Sequence, residues 1–307
     1  MSRGAYDIAV IGGGPAGMTA ALSAYDAGIE KIVILDRNDR LGGILNQCTH
    51  TGFGVAFLGE ELTGTELAAR LRERVADTAI EVRTDTTVLT LDCTGKMTVS
   101  SAQGCEELTA GAVILASGCR ERPIGTLHVT GTRPAGIFEA GAAQKMMNVA
   151  DLDIGDNAVI LGSGDVGLIV ARIMAQRGKN VLCVLEREKT CGGSEKNKAE
   201  CLDFYGIPLC LRQTVTRVHG LGRISGVTVK DLDSGEERFI KCDTLITSLG
   251  LVPERELAEM AADKNGAPGA WLFVCGDAER VHDTVDAVAF EAEETGALAA
   301  EYVKRNR

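Results

Sequence analysis

Two side chains with chemical potential lie close together in a glycine-rich stretch near the start of the chain. Cys48 and His50 are two positions apart within GGILNQCTHTGFG, residues 42–54. A cysteine becomes a useful nucleophile when a cation or a helix N-terminus lowers its pKa, and His50 or the backbone amides of this loop would supply that. Two interpretations stay open. Cys48 is either a redox thiol with His50 as its base, or a small buried side chain.

The remaining cysteines do not form a recognisable redox or metal motif. The chain has 10 cysteines but no Cys-x-x-Cys pair, which excludes the common dithiol redox motif and the usual zinc spacings. We therefore expect no metal site, and we expect free thiols in a reducing compartment.

Composition limits the classes of function that the chain can have. The 307 residues carry a formal net charge of -11 and are 45% hydrophobic, enough for two domains with real cores. An acidic chain repels polyanions, so nucleic acid and anionic membrane surfaces are poor partners. The N-terminal MSRGAYDIAVIGGGPAG lacks the features of a signal peptide, and no apolar run is long enough to cross a bilayer. We expect a cytoplasmic protein without membrane insertion.

An internal repeat organises the chain. Residues 7–36 align without a gap with residues 157–186. Each copy is predicted to form a strand, a G-x-G-x-x-G turn, an alanine-containing helix that ends at Gly28 or Gly178, and a second strand that ends in an acid. Two copies in register are far more specific than a single glycine-rich turn. The repeat predicts two dinucleotide-binding units.

Each glycine of the motif has a separate physical role. The first permits a tight turn, the second lets the backbone approach a pyrophosphate, and the third allows close packing of helix on strand. The helix N-terminus then faces the phosphates. The acids Asp36 and Glu186 are placed to accept hydrogen bonds from a ribose diol, and each disfavours a 2′-phosphate. The glycines concerned are Gly12, Gly14 and Gly17 in the first copy and Gly162, Gly164 and Gly167 in the second.

The segments outside the repeat have the periodicity of further helices and strands. Residues 66–78 have helical periodicity, whereas 86–92 alternate like a strand. The other predicted segments are a strand and small-residue turn at 112–123, a helix and strands at 197–220, a strand and turn at 243–254, and a strand, a Gly-Asp turn and a long helix at 271–303.

Taken together, these segments resemble the pyridine nucleotide-disulfide oxidoreductases, flavoproteins with two dinucleotide-binding domains. The resemblance implies FAD at the first turn and NAD(P)H at the second, with NADH preferred because of Glu186. The residues that it assigns to FAD are Gly12, Gly14, Pro15, Ala16, Gly17, Asp36, Gly43, Ala116, Ser117, Gly118, Gly276 and Asp277. Those that it assigns to NAD(P)H are Gly162, Gly164, Asp165, Val166, Gly167 and Glu186.

The same resemblance implies an α/β fold of two Rossmann-like dinucleotide-binding domains, with the NAD(P) domain inserted into the FAD domain. The expected FAD domain comprises residues 1–122 and 246–307, and the expected NAD(P) domain comprises residues 123–245.

Four segments are similar to a narrower bacterial subgroup that accompanies a glycerol-3-phosphate-dehydrogenase-like flavoprotein and a small cysteine-rich protein. These segments are LGGILNQCTHTGFG, RPAGIFEAGAAQ (133–144), CLDFYGIPL (201–209) and GDAERVHDTVD (276–286). The subgroup implies those two proteins as partners, and a homodimer is a further expectation. The stretch between Leu251 and Trp271 is shorter than in the subgroup, which usually has another strand there.

The leading hypothesis is an FAD-dependent NAD(P)H oxidoreductase that exchanges electrons with a second redox partner, expected to be a protein. Cys48, His50 and His282 are the candidate catalytic residues, since an imidazole suits proton delivery at a reduced flavin. One alternative is a non-catalytic, nucleotide-binding scaffold subunit of a dehydrogenase complex. The other is a peroxide or small-disulfide reductase that uses Cys48 alone.

Overall fold

The computed structural model describes residues 5–262, 266–267 and 269–307. The chain divides into two compact units: Met1–Arg120 with Pro253–Arg307 form the first, and Glu121–Val252 form the second. The second unit ends at Val252, whereas the sequence led us to expect the inserted domain to end at residue 245. Residue 245 lies inside the strand Thr244–Thr247, which is hydrogen-bonded to neighbouring strands of the second unit.

The helices and strands have the following bounds. The α-helices are α1 (Pro15–Asp26), α2 (Gly64–Ala76), α3 (Ala140–Asn148), α4 (Asp165–Gln176), α5 (Glu195–Lys198), α6 (Glu256–Met260) and α7 (Val285–Asn306). The strands are β1 (Ala5–Ile11), β2 (Ile32–Leu35), β3 (Thr51–Phe53), β4 (Leu62–Thr63), β5 (Glu81–Arg83), β6 (Thr87–Leu91), β7 (Lys96–Ser101), β8 (Gly104–Leu115), β9 (Cys119–Glu121), β10 (Thr130–Gly131), β11 (Ile137–Glu139), β12 (Asn157–Leu161), β13 (Asn180–Glu186), β14 (Leu209–Leu211), β15 (Gln213–Gly220), β16 (Ile224–Asp231), β17 (Glu237–Ile240), β18 (Thr244–Thr247), β19 (Leu251–Pro253) and β20 (Leu272–Val274).

The first unit is built on a sheet in the order β5-β2-β1-β8-β7-β6, with β20 also paired to β8. Strands β5, β2, β1, β8 and β20 pair in parallel, whereas β6, β7 and β8 form an antiparallel meander. Helices α1 and α7 pack against each other so closely that a Cβ on Gly296 would lie 2.2 Å from the Ala20 carbonyl oxygen. Because parallel strands end at one edge of a sheet, the segments that follow β1, β2, β8 and β20 meet there.

The second unit contains two sheets. Its five-stranded parallel sheet has the order β11-β18-β12-β13-β14 and carries the second glycine turn after β12. The second sheet has the order β10-β15-β16-β17, with antiparallel pairing among its last three strands. Val215, Val227 and Leu245 belong to the apolar core between β12, β13 and this second sheet.

The predicted α/β class with two Rossmann-like units is confirmed. The helix predicted at 66–78 is α2, which begins with a reciprocal capping box between Thr63 and Glu66. Strands β7, β16 and β17 were not predicted. The shortened stretch before Trp271 contains α6, and residues 263–265 and 268 within it lie outside the described residues. No helix in the described part of the chain has the length and apolarity needed to cross a bilayer.

Candidate dinucleotide-binding sites

The first glycine turn follows β1 and leads into α1. Gly12 has φ +102°, and a Cβ there would lie 2.3 Å from the Ala116 carbonyl oxygen. A Cβ on Gly17 would lie 1.8 Å from the Gly12 carbonyl oxygen. In contrast, a Cβ on Gly14 would meet its nearest neighbour, the Gly43 Cα, only at 4.0 Å. Gly12 and Gly17 are therefore required by packing, whereas Gly14 leaves open space beside the helix start.

The start of α1 completes this turn. Pro15 occupies the first helical position, where its missing N–H costs nothing, and Ala16 is buried behind it. Gly14 is the N-terminal cap residue, and no side chain caps the helix. The free amides of the first turn give this helix N-terminus a partial positive charge that suits an anion.

Asp36 lies at the end of β2 and is 5% exposed. Its Oδ2 accepts a hydrogen bond from the Gly13 backbone amide at 2.7 Å, and its Oδ1 accepts one from the Asn38 amide at 2.8 Å. The carboxylate therefore links the end of β2 to the glycine turn. Oδ1 also accepts from the Asn38 side-chain amide at 2.9 Å, so Oδ2 is the oxygen that keeps a second lone pair for a ligand hydroxyl.

Ala116, Ser117 and Gly118 follow β8 next to the glycine turn. The Ser117 hydroxyl donates to the Glu254 carbonyl oxygen at 2.7 Å, which fixes the turn from behind. Gly118 has φ +75°, and no atom of the described residues lies within 4 Å of the position of a Cβ. The backbone of this turn is open to a ligand on that side.

The Gly-Asp turn follows β20 and packs directly on the start of α1. A Cβ on Gly276 would lie 2.8 Å from the Cβ of Ala16. Asp277 accepts hydrogen bonds at Oδ1 from the backbone amide of His282 at 2.9 Å and faces its Nδ1 at 3.1 Å. The thiol of Cys119 donates to Oδ2 at 3.6 Å. His282 is thus held by Asp277 within the first unit.

The second glycine turn repeats this arrangement in the second unit. Gly162 has φ +98°, and a Cβ there would lie 2.0 Å from the Ser248 carbonyl oxygen. A Cβ on Gly167 would lie 2.8 Å from the Ser248 Cβ, whereas one on Gly164 would meet only the Ser248 hydroxyl at an ordinary 3.4 Å. Ser248 follows β18 in the place that Ala116 takes after β8. Sequence reasoning missed it, although the similarity of the two strand-turn segments was a signal.

Glu186 ends β13 and is 8% exposed. Its Oε2 accepts from the Ser163 amide at 2.9 Å and from the Ser163 hydroxyl at 2.6 Å, and its Oε1 accepts from the Glu188 amide at 3.0 Å. Burial raises the pKa of Glu186, but these hydrogen bonds outweigh it and hold the pKa below its usual value. The carboxylate is therefore ionised at neutral pH.

Asp165 begins α4, and its carboxylate holds the loop that follows β13. Asp165 Oδ1 accepts from the Ser194 amide at 2.8 Å and from the Asn197 side-chain amide at 2.7 Å. The Gly192 amide donates to the Ser163 hydroxyl at 2.7 Å. Val166, the next predicted residue, is half-buried. The loop 191–197 thus contacts the second glycine turn, a contact that no periodicity in the sequence indicated.

The structure places Cys48 in the packed interior of the first unit. Cys48 is 7% exposed, and its thiol donates to the Ile44 carbonyl oxygen at 3.4 Å. A Cβ on Gly64, at the start of α2, would lie 2.5 Å from the Cys48 Cβ. Burial raises the pKa of Cys48 to about 12, so its thiol is protonated at neutral pH. His50 is half-buried, and its ring packs on Phe53 with centroids 5.1 Å apart.

We expect Cys48 to resist alkylation in the folded protein. At pH 8 a thiol with a pKa of about 12 has a far smaller thiolate fraction than a free cysteine, whose pKa is about 8.5. Iodoacetamide should label Cys48 at least about a hundredfold more slowly than the exposed Cys93, measured by peptide mass spectrometry over time. Urea-unfolded protein serves as the control, since both cysteines should then react alike. Equal labelling of the two in the folded protein would contradict the buried thiol.

Sequence reasoning also missed Asp286, in the first turn of α7. Asp286 is 8% exposed, and its two oxygens accept hydrogen bonds from the backbone amides of Gly54 at 2.8 Å and Ala56 at 2.7 Å. This single carboxylate therefore fixes the chain just after Cys48 and His50. Within the described residues, no group of three or more histidine, cysteine or acidic side chains is arranged to hold a metal ion.

The amino-acid sequence of the chain is similar to one known family of oxidoreductases. A sequence profile described as Pyridine nucleotide-disulphide oxidoreductase matches residues 6–278. The NADH dehydrogenase of Bacillus subtilis is 27% identical over 316 residues, covering 98% of this chain and 59% of that protein. An opine oxidase subunit of Rhizobium meliloti is 32% identical over 280 residues, covering 83% of this chain and 52% of that protein. The chain thus spans a little over half the length of these two relatives.

The solved structures agree at the level of the fold. The crystal structure of T. acidophilum thioredoxin reductase matches with a TM-score of 0.75 at 22% identity, covering 98% of each chain. The sequence-based assignment is confirmed: the chain belongs to the pyridine nucleotide-disulphide oxidoreductase family, a class of flavin- and pyridine-nucleotide-dependent enzymes.

Proposed function

We propose that the chain is an FAD-dependent NAD(P)H oxidoreductase that passes electrons between a nicotinamide cofactor, a flavin and a second redox protein. One observation carries the proposal. Each unit has a glycine turn at the carboxyl end of a parallel strand, and each turn is hydrogen-bonded to a buried acid, Asp36 or Glu186. Such turns bind the diphosphate of dinucleotides, and the acids accept ribose hydroxyls.

The residues of the first unit fit FAD. The space beside Gly14, which a Cβ would enter without a clash, adjoins the free amides of α1 and suits a diphosphate. Asp36 is placed for the ribose, and the open side of Gly118 and the turn at Asp277 extend the same edge of the sheet. When bound, FAD would supply a flavin that can accept a hydride from the reduced nicotinamide and pass the two electrons on. The protein contributes binding, orientation and charge.

The second unit supports binding of NAD(P)H, with NADH preferred. Gly164 precedes α4 as Gly14 precedes α1, and the ionised Glu186 would accept hydrogen bonds from the ribose hydroxyls.

The similarity to the opine oxidase protein of Rhizobium meliloti supports a partner protein, because that relative is by name one subunit of an oxidase. The subgroup resemblance supports a dehydrogenase-like flavoprotein and a small cysteine-rich protein in that role. All ten cysteines are free thiols, which supports a cytoplasmic location.

Anaerobic titration of the purified protein with NADH tests this proposal. We expect FAD to be released on denaturation, and we expect one equivalent of NADH to bleach the flavin absorbance of the native protein. Recovery of FMN alone, or an apoprotein that FAD cannot reconstitute, contradicts the flavin assignment. Stoichiometric FAD that NADH fails to bleach favours the alternative of a scaffold protein.

The alternative of a single-cysteine peroxide or small-disulfide reductase is separated by Cys48→Ser. The buried, protonated thiol favours a packing or tuning role for Cys48. Under that role, flavin reduction by NADH stays within about tenfold of wild type, or ~1.4 kcal/mol of barrier. Turnover with peroxide or a small disulfide by the wild type alone would make Cys48 the catalytic thiol, with His50 as its base.

A further inference from the structure

His282 lies between two carboxylates in the first unit. Its Nδ1 is 3.1 Å from Asp277 Oδ1, and its Nε2 is 3.0 Å from Glu291 Oε2, while only 5% of its side chain is exposed. Carboxylate oxygens accept hydrogen bonds, so both contacts are made only when both ring nitrogens carry protons, as in the imidazolium form. The imidazole is therefore the buried centre of a bridge between two carboxylates, and its imidazolium form can donate a hydrogen bond to each.

Each end of this bridge is anchored to the backbone. Asp277 Oδ1 also accepts from the His282 amide at 2.9 Å. Glu291, on α7, accepts at Oε1 from the Gly276 amide at 2.8 Å and contacts the Arg280 guanidinium through Oε2 at 3.3 Å. Burial raises the pKa of Glu291, but the hydrogen bonds from Gly276 and His282 lower that pKa by a larger amount. The net pKa is below its usual value, so the carboxylate stays ionised. The bridge thus holds the Gly-Asp turn in one conformation.

The bridge lies beside the first glycine turn. Gly276 packs on Ala16, the second residue of α1, with only 2.8 Å from its Cβ position to the Ala16 Cβ. Asp277 is the next residue, and the one contact of its Oδ2 within the described part of the chain is a long one, 3.6 Å from the Cys119 thiol. Oδ1 is fully engaged by His282, so Oδ2 is the oxygen that Asp277 can offer to a ligand. An unbalanced carboxylate at this place would repel a diphosphate.

We propose that His282 is a positioning residue of the flavin site: it fixes Asp277 with Oδ2 directed away from the bridge, and it offsets the negative charge of Asp277 and Glu291 beside the anion-binding end of α1. The charges then sum to zero across Asp277, Glu291, His282 and Arg280. Without the imidazolium the cluster is net negative. The role rests on the proposed function, because it assumes that FAD binds at the first turn.

Three variants of the apoprotein test this role: His282→Gln, His282→Lys and the matched control His219→Gln. Glutamine removes the charge and leaves a single donor group, whereas lysine keeps the charge. His219 lies in the second unit, where its ring contacts only the Thr228 hydroxyl and Phe239 among the described partners. The dissociation constant of FAD is measured by quenching of flavin fluorescence, and the thermal midpoint of each apoprotein is measured in parallel.

We expect His282→Gln to weaken FAD binding about tenfold or more, His282→Lys to recover most of that loss, and His219→Gln to match wild type. Thermal midpoints of the two His282 variants should be similar to each other. Equal weakening by glutamine and lysine shows a packing role alone and overturns the proposal, as does FAD binding by His282→Gln within about twofold of wild type. A wild-type apoprotein that binds no FAD refutes the proposed function itself, and the positioning role falls with it.

Discussion

Gly14→Ala is expected to abolish tight FAD binding while the protein still folds. An alanine Cβ at residue 14 would lie 4.0 Å from its nearest neighbour, and the backbone at φ −73° and ψ −172° is allowed for any residue. The methyl group would instead occupy the space into which a diphosphate must come to reach the free amides of α1. We expect the dissociation constant of FAD to rise at least about a hundredfold, or ~2.7 kcal/mol.

The repeat provides a matched control. Gly164 has the same place before α4, with φ −63° and ψ 158°, and a Cβ there makes only an ordinary contact of 3.4 Å. Gly164→Ala should therefore retain FAD yet lose rapid flavin reduction by NADH. Flavin content after gel filtration and stopped-flow reduction under anaerobic conditions measure the two effects separately.

The outcomes of this pair assign the two units. Loss of FAD from the residue-164 variant, with retention in the residue-14 variant, would reverse the assignment of cofactors. Full FAD content and normal reduction in both variants would mean that neither turn binds a diphosphate. Circular dichroism of both proteins excludes unfolding as the cause.

The glycine turns could be predicted because their constraint is local. Gly12 needs a positive φ, and Gly17 needs contact with the Gly12 carbonyl oxygen, so both requirements lie within six residues of sequence. The second copy of the repeat, 150 positions after the first, added the second turn, and the acids Asp36 and Glu186 followed from the length of one strand–helix–strand unit. The fold class rested on the same local pattern.

The parts of the site that were missed depend on contacts distant in sequence. Asp286 bonds amides more than 200 residues away, and no local pattern indicates which loop its carboxylate will meet. Likewise, burial raises the pKa of Cys48, and part of the packing around it comes from Gly64 at the start of α2, outside GGILNQCTHTGFG. His282 and Asp277 were both identified as candidates, but the contacts of His282 with Asp277 and Glu291 were not predicted.

Glu186 is expected to set the choice between NADH and NADPH. The 2′-phosphate of NADPH carries about −1.5 to −2 charges at neutral pH. At about 4 Å from an ionised carboxylate, each charge costs about 1 kcal/mol in water and more near a protein surface. Hydrogen bonds from Ser163 keep the pKa of Glu186 low and its carboxylate ionised. The wild type should therefore be reduced by NADH at least about tenfold more efficiently than by NADPH.

Glu186→Gln should bring that preference below about threefold, because the amide keeps an acceptor for Ser163 but loses the charge. Glu188→Gln is the matched control, since Glu188 is exposed and its backbone amide, not its side chain, contacts Glu186. Anaerobic stopped-flow reduction at a range of NADH and NADPH concentrations gives the ratio for each protein. Faster reduction of the wild type by NADPH would contradict this expectation, and the exposed Arg187, next to Glu186, would then be the side chain that captures the 2′-phosphate.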